Sequence, residues 1–175
     1  MPNLPERLKR LRPSPLTLIL IALIAYFWFR PPARISDQDR PVPNVQAVSL
    51  AGKPLDLGDW RGKVVLVNFW ATWCPYCRHE MPAMEKFYRD YRGKGFEMVA
   101  FSIDDDPAKV RQFMTAEGYR FPVAMSSPQI SAAFGGVSLV PASFVIDKQG
   151  RIRKKVSGQV YYGRLEDLVA PLLKE

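Results

Sequence analysis

A third cysteine is absent from this chain, and so is a second histidine. Cys74 and Cys77 stand close together, and His79 is the lone imidazole. A structural zinc site needs four ligands of such types, so this set falls short of one. Two cysteines this near each other cannot cross-link distant parts of a fold either, so the pair is no structural staple. Internal repeats and low-complexity blocks are missing. The formal net charge is +8, but no basic stripe interleaved with aromatics accompanies it, which argues against nucleic acid as a partner. The run Asp104-Asp105-Asp106 reads as a solvated loop and helix cap, not a metal site. At 47% hydrophobic and 24% charged residues, the chain can bury a core without disulfides, as one domain plus an extra segment.

That segment is N-terminal. Arg7, Lys9, Arg10 and Arg12 precede an uncharged run from Leu16 to Phe29. Positive charge followed by an apolar run implies export, with the N-terminus left in the cytoplasm. The run of 14 residues would rise roughly 21 Å as a helix, against a hydrocarbon core of ~30 Å. That length suits a cleaved signal peptide. Two features favour retention. No A-x-A-like site follows, and Tyr26 and Trp28 sit where interfacial aromatics anchor a span; Arg12 and Arg30 can snorkel. No cysteine lies near residue 30, so there is no lipobox. The expected organisation is a cytoplasmic N-terminus over 1–15, a transmembrane signal anchor over 16–30, a linker over 31–43 and a globular domain over 44–175. The proline-rich linker reads as an extended tether. Outside the cytoplasm, thiol pairs can be oxidised.

From Val45 the pattern becomes globular. VQAVSL and LDL flank a turn and predict a β-hairpin. VVLVNFWA (Val64–Ala71) and FEMVAFSI (Phe96–Ile103) are continuous apolar runs, as in strands buried on both faces. Met81, Met84, Tyr88 and Tyr91 repeat at helical spacing, with Pro82 expected to kink that helix. Asp106-Pro107 starts another helix, and Gly118 ends it. FPVAM is a short strand, Ile130–Phe134 a short helix, ASFVID a strand and RIRKKV an edge strand. Leu165, Leu168, Val169 and Leu172 mark a last helix. This order predicts an α/β layered domain, a central mixed sheet flanked by helices with an N-terminal β-hairpin extension.

Cys74 follows a buried strand and opens a helix. A sulfur at a helix N-terminus gains from the dipole as a thiolate, the reactive species. Cys77 lies one turn later on the same side and can close a disulfide. Attack by Cys74 on a substrate disulfide, followed by resolution by Cys77, needs no cofactor. Pro75 supplies no N–H and holds the first turn. A CxxC between a buried strand and a helix in an exported chain points to redox exchange.

The segment VVLVNFWATWCPYCRHEMPAM resembles the active-site region of membrane-anchored, thioredoxin-like disulfide reductases of the TlpA and ResA type. The similarity extends over about residues 43–175 and takes in VPASFVID. It implies a thioredoxin fold, Cys74 as nucleophile and Cys77 as resolving thiol. It further implies a cis peptide before Pro141, with the Val140 backbone turned out to pair with a substrate chain. Glu80 matches an acidic residue beneath the cysteines; a partly buried carboxyl has a raised pKa and can shuttle protons. Thioredoxins proper carry an aspartate where this chain has Asn68, which cannot titrate. Trp73 and Tyr76 would border the docking surface, and His79 reads as solvated. CPYC alone is similar to glutaredoxins, but the preceding Trp, the HEMP that follows and the long segment before Pro141 depart from them. The peroxiredoxin pattern PxxxTxxC is absent.

The resemblance implies a reductase of extracytoplasmic protein disulfides, such as the haem-attachment cysteines of apocytochrome c. A membrane thiol-electron transporter would supply electrons, with no cofactor beyond the Cys74–Cys77 disulfide. Two alternatives stand beside it: a copper(I)-binding or docking module for metal-site assembly, since soft thiolates suit that ion, and a disulfide oxidase or isomerase.

Overall fold

The computed structural model describes residues 14–29 and 33–175. They belong to two compact units, one within residues 1–32 and the other from Ala33 to Glu175. In the first, helix α1 (Pro15–Phe29) exposes its leucines and isoleucines, among them Leu16, Ile19 and Leu23. Ser14 Oγ caps it, accepting from the Thr17 N–H at 3.2 Å. No helix among the described residues is long and apolar enough to cross a membrane. The flanking charges Arg7, Lys9, Arg10, Arg12 and Arg30, and the expected cytoplasmic segment up to residue 13, lie outside the described residues.

The second unit holds the sheet. Its elements are β1 (Arg34–Pro41), β2 (Gln46–Val48), β3 (Pro54–Asp56), a 3-10 turn, β4 (Val64–Trp70), α2 (Pro75–Tyr91), β5 (Phe96–Ser102), α3 (Pro107–Glu117), β6 (Val123–Met125), α4 (Pro128–Ala133), β7 (Ala142–Ile146), β8 (Arg151–Ser157) and α5 (Tyr162–Lys174). The strand order is β1-β8-β7-β4-β5-β6, with β2 and β3 paired separately as the expected hairpin. β4 pairs in parallel with β5, and β5 with β6; β7, β8 and β1 run antiparallel to their neighbours.

β4 is buried along its whole length, because successive side chains feed two cores. Val64, Leu66 and Trp70 face α2, α3 and α5. Val65, Val67 and Phe69 face α4 and the hairpin. There Phe69 meets Phe101, Phe134 and Phe144 at ring-centroid distances of 5.5, 5.4 and 6.0 Å. Asp106 caps α3 as expected, its carboxylate accepting from the Ala108 N–H at 2.8 Å. Gly118 ends that helix in the left-handed conformation (φ 70°), which glycine adopts without a Cβ penalty. α2 runs through Pro82, which has no N–H for the Arg78 carbonyl one turn back.

Two expectations differ from the structure. The proline-rich stretch is no free tether: residues 34–41 form β1, the edge strand, paired with β8. It shows no apolar alternation because neither face is deeply buried; backbone pairing and charge hold it. Asp39 meets Arg151 at 2.6 Å, and Asp37 pairs with Lys154. In consequence RIRKKV, expected at the edge, is an inner strand between β7 and β1. Alternation reports which face is buried and carries no information on sideways partners.

Candidate active site

Between β4 and α2 the chain turns through Ala71, Thr72 and Trp73, and Asp104 pins this turn. Its carboxylate accepts from the Thr72 N–H at 2.9 Å, the Thr72 hydroxyl at 2.5 Å and the Ser102 hydroxyl at 2.7 Å. Of the aspartate run expected to be solvated, Asp104 is therefore a structural clamp behind the cysteine motif.

Cys74 is the N-cap of α2, in extended conformation, and its Sγ accepts from the Cys77 N–H at 3.2 Å. Pro75 follows at the first helical position, where its missing N–H costs nothing. The two cysteines are joined as a disulfide, their Cα atoms 5.3 Å apart. Cys77 is fully buried, whereas Cys74 keeps 4% of its surface, so Cys74 is the more accessible of the two sulfurs.

Opposite stands Pro141, preceded by a cis peptide bond from Val140, as the sequence implied. The Val140 carbonyl oxygen lies 3.8 Å from Cys74 Sγ. Around this sulfur, Trp73, Tyr76 and Leu139 are exposed by 64%, 61% and 82%. Exposed apolar side chains clustered like this are of the kind that docking surfaces carry. Leu139 escaped the sequence reading: the resemblance brought Val140 and Pro141 to the site, but only the fold shows Leu139 exposed beside them.

Behind the pair, Glu80 is 1% exposed. One oxygen accepts from Asn68 Nδ2 at 2.9 Å and the other from the Val160 N–H at 2.8 Å. Burial pushes its pKa up to about 8, against the two hydrogen bonds and the Arg164 charge, which favour the carboxylate. Asn68 Nδ2 also donates to Ser143 Oγ at 3.0 Å, from the facing position on β7. Thus Asn68, unable to titrate, holds the group that can. His79 is exposed, with Nδ1 2.9 Å from Gln159 Nε2, beside the segment that supplies the Val160 N–H.

This arrangement carries one direct expectation. Asn68→Leu keeps the burial and removes a donor to the carboxylate. A hydrogen bond to a charged group contributes about 1.5–3 kcal/mol, so the Glu80 titration, followed by carboxyl NMR, should move upward by about one to two pH units. A downward movement, or none, would show that Asn68 does not act on Glu80.

A cysteine that caps a helix, can form and break a disulfide with a buried partner, and faces a cis-proline edge is the working part of a thioredoxin-fold thiol:disulfide oxidoreductase. The Redoxin family matches residues 37–169, and the chain belongs to it. Among its relatives, the thiol-disulfide oxidoreductase ResA of Bacillus thuringiensis (strain Al Hakam) is 38% identical over 127 residues, 73% of each chain. ResA of Bacillus subtilis (strain 168) is 33% identical over 125 residues, 71% of this chain and 70% of that one. A thiol:disulfide interchange protein of the thioredoxin family from Chlorobium tepidum TLS superposes with a TM-score of 0.73 at 31% identity, covering 79% of this chain and 99% of that one. A secreted thiol-disulfide isomerase from Corynebacterium glutamicum superposes with a TM-score of 0.75 at 25% identity, covering 82% and 92%.

Proposed function

We propose that this oxidoreductase works as a reductase of extracytoplasmic protein disulfides, held at a bacterial cytoplasmic membrane by its N-terminal segment. The observation that carries this reading is the Cys74–Cys77 pair at the start of α2, Cys74 capping it, with the Val140–Pro141 edge in front and Glu80 behind. The ResA relatives support the chemistry. The basic residues before an apolar helix support the placement. Substrates of the proposed kind include the oxidised haem-attachment cysteines of apocytochrome c. A membrane thiol-electron transporter is the proposed reductant, and no cofactor is required beyond the disulfide.

The exchange runs in two steps. The Cys74 thiolate attacks one sulfur of the substrate disulfide; that S–S bond breaks, and the leaving thiolate takes a proton. A mixed disulfide between Cys74 and the substrate remains. Cys77 then attacks Cys74 Sγ, expels the second substrate thiolate and leaves the Cys74–Cys77 disulfide. Two electrons pass to the substrate, and the two thiol protons of the enzyme balance those it gains. The Cys77 N–H steadies charge on Cys74 Sγ. Glu80, three residues beyond Cys77 on α2, holds or releases a proton during resolution.

Cys77→Ser stops the second step. Expressed in the native host, this variant should be recovered from the membrane fraction with its N-terminal segment intact and a partner protein disulfide-linked to Cys74. Failure to recover any adduct would count against protein disulfides as substrates. A soluble protein starting after residue 30 would remove the anchor.

A further inference from the structure

The docking surface around Cys74 continues into a groove that the exchange chemistry does not use. Next to the cysteines, Trp73, Pro75 and Phe113 line a cavity of about 440 Å³ between α2 and α3. A second cavity of about 550 Å³ lies toward the far end of α2, closed on one side by the hairpin turn. Tyr119 lines both, so the two cavities adjoin, one beside the active site and the other toward the far end of the helix, and together they mark a groove that a chain crossing the Tyr119 ring could follow. α2 has 17 residues, a rise of roughly 25 Å. An extended peptide covers that distance with about eight residues.

The chemistry changes along the groove. The near cavity is mixed, with Glu117 beside Arg78 and His79. The far one is lined by Lys53, Arg92, Arg111 and Arg120 and by no acid. All four cations are exposed, and among the described residues none forms an ion pair. Some basic residues elsewhere on the domain are paired, Lys86 with Asp90, Arg151 with Asp39 and Arg153 with Asp147, and others such as Arg61 and Lys109 are not; what sets the four apart is that they surround one cavity. Leu50, Met114 and Phe121 give the far cavity an apolar floor. Four cations without counter-charges around such a floor fit an anionic chain that also brings an apolar side chain.

We propose that this groove docks an acidic segment of the protein substrate, whose carboxylates meet Lys53, Arg92, Arg111 and Arg120 while its disulfide lies at Cys74. The proposal rests on the reading of protein disulfides as substrates and adds their class: oxidised proteins with acidic residues within about eight positions of the reactive cysteine. Electrostatic complementarity of this kind chiefly raises the association rate and weakens with salt.

The test uses two synthetic peptides, each a disulfide-closed Cys-Ser-Ser-Cys loop followed by an eight-residue tail. One tail is rich in glutamate with a single leucine, the other is serine and glycine. In single turnover, with one equivalent of peptide per reduced enzyme, the acidic peptide should be reduced with a second-order rate constant about tenfold higher at low salt. The ratio should fall toward one at ~0.5 M salt, and also in the triple variant Arg92→Glu, Arg111→Glu, Arg120→Glu. Equal rates on both tails at low salt, or a preference that survives the triple substitution, would overturn the proposal. So would equal rates combined with binding to phosphatidylglycerol vesicles that the triple variant loses, which would make the surface membrane-facing. If neither peptide is reduced, the reductase reading fails by itself. Fluorescence anisotropy of the labelled acidic tail alone then decides the groove: binding lost in the triple variant supports it, and no binding overturns it.

Discussion

Replacing Cys74 by serine is expected to lower turnover of a protein disulfide at least about 10³-fold. The reason is chemical before it is structural. A hydroxyl at this position stays protonated near neutral pH, and its oxygen cannot form the mixed disulfide through which the electrons pass. Packing should survive, because Cys74 sits at the rim of the core with 4% of its surface exposed and serine is itself a good N-cap. Circular dichroism and the unfolding midpoint should therefore change little while turnover disappears. Cys77→Ser should also abolish repeated turnover, with a different signature: one equivalent of substrate thiol is released and the enzyme stalls as an adduct. Turnover above a tenth of the wild-type rate in Cys74→Ser would place the nucleophile elsewhere.

The second large effect concerns Glu80→Gln. In the native protein this carboxyl titrates at about 8 rather than at its ordinary 4.5, because burial disfavours the charged form more than its hydrogen bonds favour it. Its folded-state pKa is raised, so the native state binds the proton more tightly than the unfolded chain. The stability tied to that proton is fully present below pH 4.5 and is lost as pH rises through about 8. At about 1.4 kcal/mol per pH unit, the loss across this window, from 4.5 to about 8, is of order 5 kcal/mol. The variant carries no titrating group here, so this fall in stability should vanish. The replacement also has a hydrogen-bonding solution. Among the described residues Asn68 Oδ1 has no partner, and a turned amide offers it to the new amide nitrogen while the Val160 N–H keeps an acceptor. Denaturant unfolding at pH 5, 7 and 9 reads the difference. The resolution step should likewise lose its inflection near pH 8 and slow by about 10²-fold, within the usual range for general acid–base help. Parallel pH profiles for the two proteins would mean that Glu80 moves no proton.

Much of this site was legible in the chain. The continuous apolar run of β4 followed by CxxC and a helical repeat places Cys74 at a helix N-terminus. Its spacing to Cys77 permits the disulfide. Glu80 stood out through resemblance, since a helix glutamate is ordinarily solvated. Its partners were less accessible to sequence reasoning. The Val160 donor is a backbone N–H, which every residue but proline offers, and only the fold selects it. Ser143 reaches Asn68 through register across two strands far apart in the chain. Asp104 lay inside an acidic run whose members look alike until one of them meets Thr72. β1 was the clearest difference. An edge strand exposed on both faces shows no period, and its one signal, Asp37 and Asp39 against Arg151 and Lys154, is a charge match between distant segments.

The assignment of Cys74 as attacking thiol and Cys77 as buried resolving thiol is tested most directly by a single-turnover adduct map. Reduced Cys77→Ser and reduced Cys74→Ser proteins are each mixed with one equivalent of a disulfide-closed peptide, quenched with acid at intervals and digested for mass spectrometry. The account expects rapid formation of a peptide adduct on Cys74 in the first protein and at least ~10²-fold slower modification of Cys77 in the second, because burial withholds that sulfur from the substrate. Equal rates on the two cysteines, or faster attack by Cys77, would contradict it.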